Sequence, residues 1–139
     1  MKEKMKENYN KFLKTLKIEN IELLKLTAEK DEKFSPEAKI KIEYEAEYSY
    51  EKNTLKVYVL MKVVAIKKGQ RKQGFKLTAK YLVKYRSEIK IDDEMFEIFK
   101  STYLLLQIYP YFRNLVHETT LKMGLPPLIL QAIKIPISA

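Results

Sequence analysis

Residues 39–51 read KIKIEYEAEYSYE and carry the clearest structural pattern of the chain, because apolar and polar side chains alternate at every position. Isoleucine, alanine and tyrosine occupy the even positions, whereas lysine, glutamate and serine occupy the odd positions. Because successive side chains of a β-strand point to opposite faces, this period of two predicts a strand with one apolar and one charged face. The apolar face then needs a second layer to pack against.

Further strands are predicted on both sides of this one. Residues 55–66 follow a turn at Lys52–Asn53, and residues 75–86 follow a second turn that contains two glycines. Residues 16–26 form the first strand, whose apolar pattern changes phase near Asn20 and therefore predicts a β-bulge. The polar residues 27–36 are predicted to form a loop of about ten residues.

Two helices are predicted after the strands. Asp92 or Asp93 caps the first helix, which extends to about residue 108. Pro110 ends that helix and begins the next, because proline has no backbone N–H and fits best in a first turn. Gly124 stops the second helix in the left-handed conformation. Four strands followed by two helices indicate an α+β fold with an antiparallel sheet.

One part of the first helix is apolar on nearly every side. Residues 103–108 read YLLLQI, and a helix of this kind needs cover all round. In a chain of 139 residues, we expect another subunit to provide that cover. Residues 1–15 are expected to form a polar lead-in and residues 16–139 a single domain.

Composition narrows the class of protein. The chain is 46% apolar and carries a net charge of +9, and it has no cysteine, so disulfides and thiolate chemistry are excluded. No apolar run approaches the roughly 20 residues that span a bilayer, and the polar start lacks the apolar core of a secretory signal. We therefore expect a cytoplasmic protein without membrane insertion.

Residues that could carry chemistry are few. His117 is the only histidine, and it has neither a nucleophile nor an orienting partner at a recognisable spacing. Glu43, Glu45 and Glu47 lie on one strand face, and a solvated surface is a simpler interpretation of that face than a metal site. Three glycines in the whole chain leave no phosphate-binding loop. We therefore expect that the protein is not an enzyme and that it binds neither a cofactor nor a metal ion.

The positive charge is concentrated in the middle of the chain. Residues 36–90 carry 14 basic and 6 acidic side chains, and Lys76, Lys80 and Lys84 share one face of the last strand. Such a basic face could bind nucleic acid through phosphates, with aromatic side chains stacking on bases. Tyr81 and Tyr85 point to the opposite face, however, so a solvated face offset by the neighbouring glutamates is favoured over nucleic-acid binding.

The end of the chain carries a resemblance. PYFR at residues 110–113 and LPPLIL at residues 125–130 resemble the SecB family of protein-export chaperones, which have a similar PYaR at a helix start and a similar fPpl.L before a hydrophobic, proline-containing tail. LKIENIEL, residues 16–23, resembles the first strand of that family. The resemblance covers about residues 16–135, and only its final part is specific.

The resemblance implies a structure and an activity. The expected assembly is a dimer of dimers, a homotetramer, in which the first helices lie between sheets, with Phe99, Tyr103 and Leu106 at the oligomer interface. The expected activity is ATP-independent holding of non-native polypeptide clients in hydrophobic grooves. The candidate groove residues, each of which could equally be an ordinary core residue, are Tyr44, Tyr48, Phe112, Leu125, Leu128 and Leu130.

The chain departs from the family at the positions associated with docking the export motor. Bacterial members have acidic side chains there, whereas this sequence has Asn20 and Leu24 in the first strand and Lys76 and Thr78 in the last. We therefore expect a SecB-like holdase that does not dock the usual motor. Two alternatives stay open: a dedicated chaperone of one client, such as an antitoxin, and a basic nucleic-acid-binding module.

Overall fold

A computed structural model describes residues 3–32, 38–67 and 73–125. As the sequence predicted, it has an α+β fold with a four-stranded antiparallel sheet, and the strand order is β1-β4-β3-β2. The elements are α1 (Glu3–Thr15), β1 (Lys17–Lys30), β2 (Ala38–Glu51), β3 (Thr54–Lys67), β4 (Gln73–Arg86), α2 (Asp93–Phe99), a π-helical turn (Lys100–Leu104) and α3 (Leu105–Lys122).

Strands β2, β3 and β4 form an antiparallel meander, in which the β3–β4 register shifts between Ala65 and Ile66. The β2–β3 register has no irregularity from Ala38↔Lys67 to Glu51↔Thr54. The predicted turn between them is confirmed, since Lys52 and Asn53 have φ angles of 49° and 63°. Two consecutive left-handed residues are typical of the tight hairpin turn whose twist matches that of the strands.

Strand β1 pairs with β4 and so lies at the opposite edge of the sheet from β2. Its register shifts between Ile18 and Asn20 and again between Leu23 and Lys25, which confirms the predicted bulge and adds a second one. The prediction that residues 27–36 form a loop is wrong at its start. β1 continues to Lys30 because Thr27, Ala28 and Glu29 pair with β4, and ladder hydrogen bonds outweigh the polar composition.

The core lies on one face of the two central strands. On β3 and β4, alternate side chains from Leu55 to Ala65 and from Phe75 to Tyr85 are buried. The helices cover this face, and the opposite face of the sheet carries lysines of the two central strands, among them Lys76, Lys80 and Lys84. We call the first the inner face and the second the outward face.

Helix α1 is more than a polar lead-in. Tyr9 and Phe12 are buried in the hydrophobic core, and the ring of Phe12 packs edge-on against that of Phe99 with a centroid separation of 5.4 Å. Met5 and Leu13 pack against the same core, but lysine, glutamate and asparagine fill most other positions of the helix, which is why its apolar side was not recognised in the sequence. The predicted domain boundary between residues 15 and 16 stays a prediction.

The boundary between the two helices that follow the sheet lies at residues 100–104, earlier in the chain than predicted. The N-cap is confirmed, because the Asp92 carboxylate accepts a hydrogen bond from the Met95 N–H at 2.8 Å. The predicted break at Pro110 is wrong: Pro110 lies inside α3, and the interruption is the π-helical turn. Pro110 and Leu106 are both exposed, so water can reach the carbonyl group that loses its helical donor.

The predicted end of the second helix is confirmed. Gly124 has a φ of +73°. Its N–H donates to the Leu121 carbonyl group at 3.1 Å, and the Leu125 N–H donates to the Thr120 carbonyl group at 3.0 Å. These two bonds form the Schellman arrangement, in which a left-handed residue lets the chain satisfy the last carbonyl groups of the helix.

Candidate functional site

Two of the predicted groove residues lie on the inner face of β2. The Tyr44 hydroxyl donates to the Lys100 carbonyl group at 2.9 Å, which fastens β2 to the π-helical turn. The Tyr48 hydroxyl donates to the Asp93 carboxylate at 2.6 Å, and its ring lies 4.3 Å from that of Phe96, centroid to centroid. Both side chains are half-buried, so each keeps part of its ring at the surface.

The same contacts shift the acidity of these tyrosines. Burial raises the pKa of the Tyr44 hydroxyl above its usual range. For Tyr48, burial together with the hydrogen bond and the negative charge of Asp93 raises the pKa to about 12. Loss of the proton would place a phenolate beside the Asp93 carboxylate at Tyr48 and beside the Lys100 carbonyl oxygen at Tyr44, so both hydroxyls act as neutral donors at ordinary pH.

The row on β2 continues beyond the helices. Ile40 and Ile42 pair with Ala65 and Val63, which belong to the buried inner face, so the two isoleucines point the same way. They are nevertheless 39% and 37% exposed, because β2 is an edge strand. We call Ile40, Ile42, Tyr44 and Tyr48 the apolar row. Its exposure rises from the helix-covered tyrosines to the open isoleucines.

The other predicted groove residues lie elsewhere. Phe112 is fully buried, so it offers no contact surface in this arrangement. Leu125 is half-buried and packs against the core. Leu128 and Leu130 lie outside the described residues. The sequence identified two members of the apolar row and missed Ile40 and Ile42, although the alternation in residues 39–51 placed all four on one face.

The opposite edge of the sheet also exposes apolar side chains towards the helical layer. Leu23 and Leu26 of β1 pair with the buried Tyr81 and Ala79 and yet remain exposed. Apolar surface therefore flanks the helices on both sides. The hydroxyl of Tyr81 is buried and has no hydrogen-bond partner among the described residues, and burial raises its pKa to about 12.

The predicted oligomer-interface residues divide into two groups. Phe99 is fully buried within the chain, so it has no surface to offer a partner. Tyr103 stacks on Phe99 with a centroid separation of 5.4 Å and is itself partly open. Leu106, one turn later, is 56% exposed. We call Tyr103, Leu106, Pro110 and Leu121, which recur at helical spacing on the exposed side, the outer helix face.

The predicted basic residues lie together on the outward face. Lys76 and Lys80 are exposed, and Lys84 is half-buried with a carboxylate oxygen of Glu22 at 3.8 Å from its ammonium nitrogen. Tyr81 and Tyr85 are buried on the inner face, as predicted. The sequence missed that β3 supplies Tyr58 and Leu60 to the same face as the lysines, a fact that the cross-strand register reveals.

The described residues contain no group of three or more His, Cys, Asp or Glu side chains that could hold a metal ion. In the same part of the chain, no helix is long and apolar enough to cross a membrane. His117 is half-buried on α3. What the structure offers is surface: an apolar row, an apolar outer helix face and a charged outward face.

These features define an α+β protein whose helices leave apolar surface open along both edges of the inner face of one sheet. The family model described as preprotein translocase subunit SecB matches residues 3–136, and the chain belongs to the SecB family. No curated protein matches the chain.

Solved structures share the fold. The SecB-like chaperone Rv1957 of Mycobacterium tuberculosis, solved with a ChAD peptide from the antitoxin HigA1, matches with a TM-score of 0.82 and 17% identity, over 94% of this chain and 99% of that one. A protein of unknown function from Streptococcus agalactiae matches with a TM-score of 0.52 and 11% identity, over 84% and 97% of the two chains.

Proposed function

We propose that this protein is an ATP-independent holdase chaperone that binds non-native polypeptides along the apolar row of β2. The single observation that carries the proposal is the exposure of Ile40 and Ile42 on the face where their cross-strand neighbours are buried. Membership of the SecB family supports the same activity. Holding needs only binding and release, so it requires neither a catalytic residue nor a cofactor.

The apolar row is suited to moderate affinity. The exposed parts of Ile40 and Ile42 amount to roughly 70 Å² each, which together correspond to about 3.5 kcal/mol of gross apolar stabilisation at about 25 cal/mol per Å². Association consumes at least about 4 kcal/mol, so a client must also cover the tyrosines and contribute its own apolar surface. Recognition by apolar area without fixed polar partners favours many extended segments over one sequence.

The test is suppression of the aggregation of a slow-folding client by purified protein. Ile42→Asp places a carboxylate in the row, and we expect at least about a tenfold rise in the chaperone concentration required, since covering that charge adds to the lost apolar contact. Ser49→Asp is the matched control, because Ser49 is exposed on the opposite face of the same strand. Equal activity of the two variants would contradict the proposed site.

We further propose that the outer helix face is covered by other copies of the chain in a dimer of dimers. Leu106 is the most exposed large apolar side chain of the described residues, and it lies on the helix whose apolar character predicted a partner subunit. Leu106→Glu should lower the mass measured by light scattering after gel filtration. Lys11→Glu, at an exposed position of α1, should leave that mass unchanged. A tetramer that persists in Leu106→Glu would exclude this interface.

A dedicated chaperone of one client is the second candidate. The observation that favours it is the structural match to a SecB-like chaperone solved with an antitoxin peptide. Capture from the cytoplasm of the source cell, where we propose that the protein acts, distinguishes the two: one dominant partner supports the dedicated role, and a broad set supports general holding.

The export motor is a further point of the proposal. Lys76 and Thr78 stand at positions where the family resemblance implies acidic motor contacts, and we propose that the usual motor does not dock here. Purified motor protein that bound this chain tightly and in a salt-sensitive way would contradict that statement.

A further inference from the structure

The outward face has an apolar centre between two charged borders. Tyr58 and Leu60 of β3 are 38% and 39% exposed and point away from the helices. In the sheet register Leu60 stands opposite Lys80 of β4 and opposite Glu45 of β2. One side of the apolar centre is therefore basic and the other is acidic.

Two depressions meet at this centre. One has a volume of about 280 Å³ and is bordered by Lys25, Lys76 and Lys80 and by one carboxylate, that of Glu29, which stands opposite Lys76. The other has a volume of about 230 Å³ and is bordered by glutamates of β2 and by Tyr58. Leu60 and Lys80 line both depressions. Each has room for several water molecules or for one large side chain of a partner.

Like charges stand directly opposite each other at this place. Lys25 pairs with Lys80 across β1 and β4, and Lys56 pairs with Lys84 across β3 and β4. Directly opposite like charges destabilise an antiparallel sheet. Lys84 is offset by Glu22, whereas neither Lys25 nor Lys80 forms an ion pair with any of the residues that the structure describes. An anionic partner would relieve this repulsion.

We propose that the outward face docks an acidic segment of a partner polypeptide, which lays an apolar side chain over Leu60 and its carboxylates against Lys25, Lys76 and Lys80. The glutamates of β2 argue for a polypeptide rather than a nucleic acid, because a phosphate backbone would be repelled at the second depression. Tyr58 is also a single aromatic side chain, and binding of single-stranded nucleic acid relies on several stacked bases. This site faces away from the apolar row and does not depend on the proposed holding activity.

The test uses fluorescence anisotropy with three labelled probes: a synthetic peptide with phenylalanine between Asp and Glu residues, the same peptide with Lys in place of the acids, and oligothymidylate. We expect saturable binding of the acidic peptide that weakens with salt and that falls about tenfold or more in Lys80→Glu. Leu60→Asp should weaken it similarly, and Lys11→Glu, with the same change of net charge elsewhere, should change it less than about twofold.

Three outcomes would overturn the proposal. They are no saturable binding of the acidic peptide to the unaltered protein, equal losses in Lys80→Glu and Lys11→Glu, and tighter binding of oligothymidylate that Lys80→Glu abolishes. Circular dichroism of each variant verifies that the fold is retained. Aggregation suppression by Lys80→Glu should equal that of the unaltered protein, which separates this site from the apolar row.

Discussion

Replacing Phe12 by alanine tests whether α1 is part of the folded core. The side chain is fully buried and touches Phe99 edge-on, while the ring of Tyr9 lies 6.0 Å from it, centroid to centroid. A buried Phe→Ala change costs about 3–5 kcal/mol, because the transfer of the ring and the cavity left behind both count. A helix of 13 residues is marginal alone in water, so these aromatic contacts are what hold α1 in place.

The assay is urea unfolding followed by circular dichroism, with thermal unfolding beside it. We expect the free energy of unfolding of Phe12→Ala to fall by about 3 kcal/mol or more and the midpoint temperature to fall by about 10 °C, given a few degrees per kcal/mol for a domain of this size. Lys11→Ala, at the exposed neighbouring position, should change stability by less than about 0.5 kcal/mol. A loss below about 1 kcal/mol in Phe12→Ala would refute the reasoning, since α1 would then be detachable from the core.

Three further changes have outcomes fixed by single features. Tyr81→Phe removes a buried hydroxyl without a partner among the described residues, so unfolding by urea should show about 1 kcal/mol of added stability. The pKa of Tyr81 is raised from 10.0 to about 12, so the unfolded chain releases this proton at a lower pH than the folded protein does. The unaltered protein should therefore lose no stability through this group below pH 10 and should lose stability as the pH rises towards 12, whereas Tyr81→Phe should lose less over that range. Gly124→Ala forces a side chain into a left-handed residue with φ +73° and should lower stability by about 1 kcal/mol, whereas Gly124→Asn should be tolerated better. Lys80→Glu replaces a like-charge pair with Lys25 by an opposite-charge pair and should raise thermal stability by roughly 0.2–1 kcal/mol at low salt, an effect that added salt should reduce.

The strands were predictable because their signal is local. The alternation in residues 39–51 and the hairpin at Lys52–Asn53 follow from neighbours along the chain. Pro110 led to a wrong prediction because its effect on a helix depends on solvent exposure. A hydrogen bond missing on the solvent side of α3 is tolerated, and no local sequence pattern shows which side of the helix faces solvent. The π-helical turn has no such sequence signal at all.

The site was predictable only in part, for a related reason. Tyr44 and Tyr48 could be assigned to an apolar face, but the helical layer determines how much of that face stays open, and this left Ile40 and Ile42 unrecognised. Phe112 was predicted to line the groove, but it is buried. Its burial results from tertiary packing, which the local sequence does not show. Leu60 joined the lysines only through the register between β3 and β4, which no single strand contains.

The π-helical turn has a consequence for how the helices could change. Its hydrogen bonds reach one residue further than those of an α-helix, so the turn holds one residue in excess of the regular count. Removing a single residue from Lys100–Leu104 would restore the regular α-helical count and leave the direction of the α3 side chains nearly unchanged, because the wider turn already accommodates the extra residue. Removing a residue from the regular part of α3 would instead rotate everything after it by about 100° about the helix axis. The π-helical turn is therefore the place in these helices where the chain can lose one residue and still keep Leu106 and Leu121 on the outside.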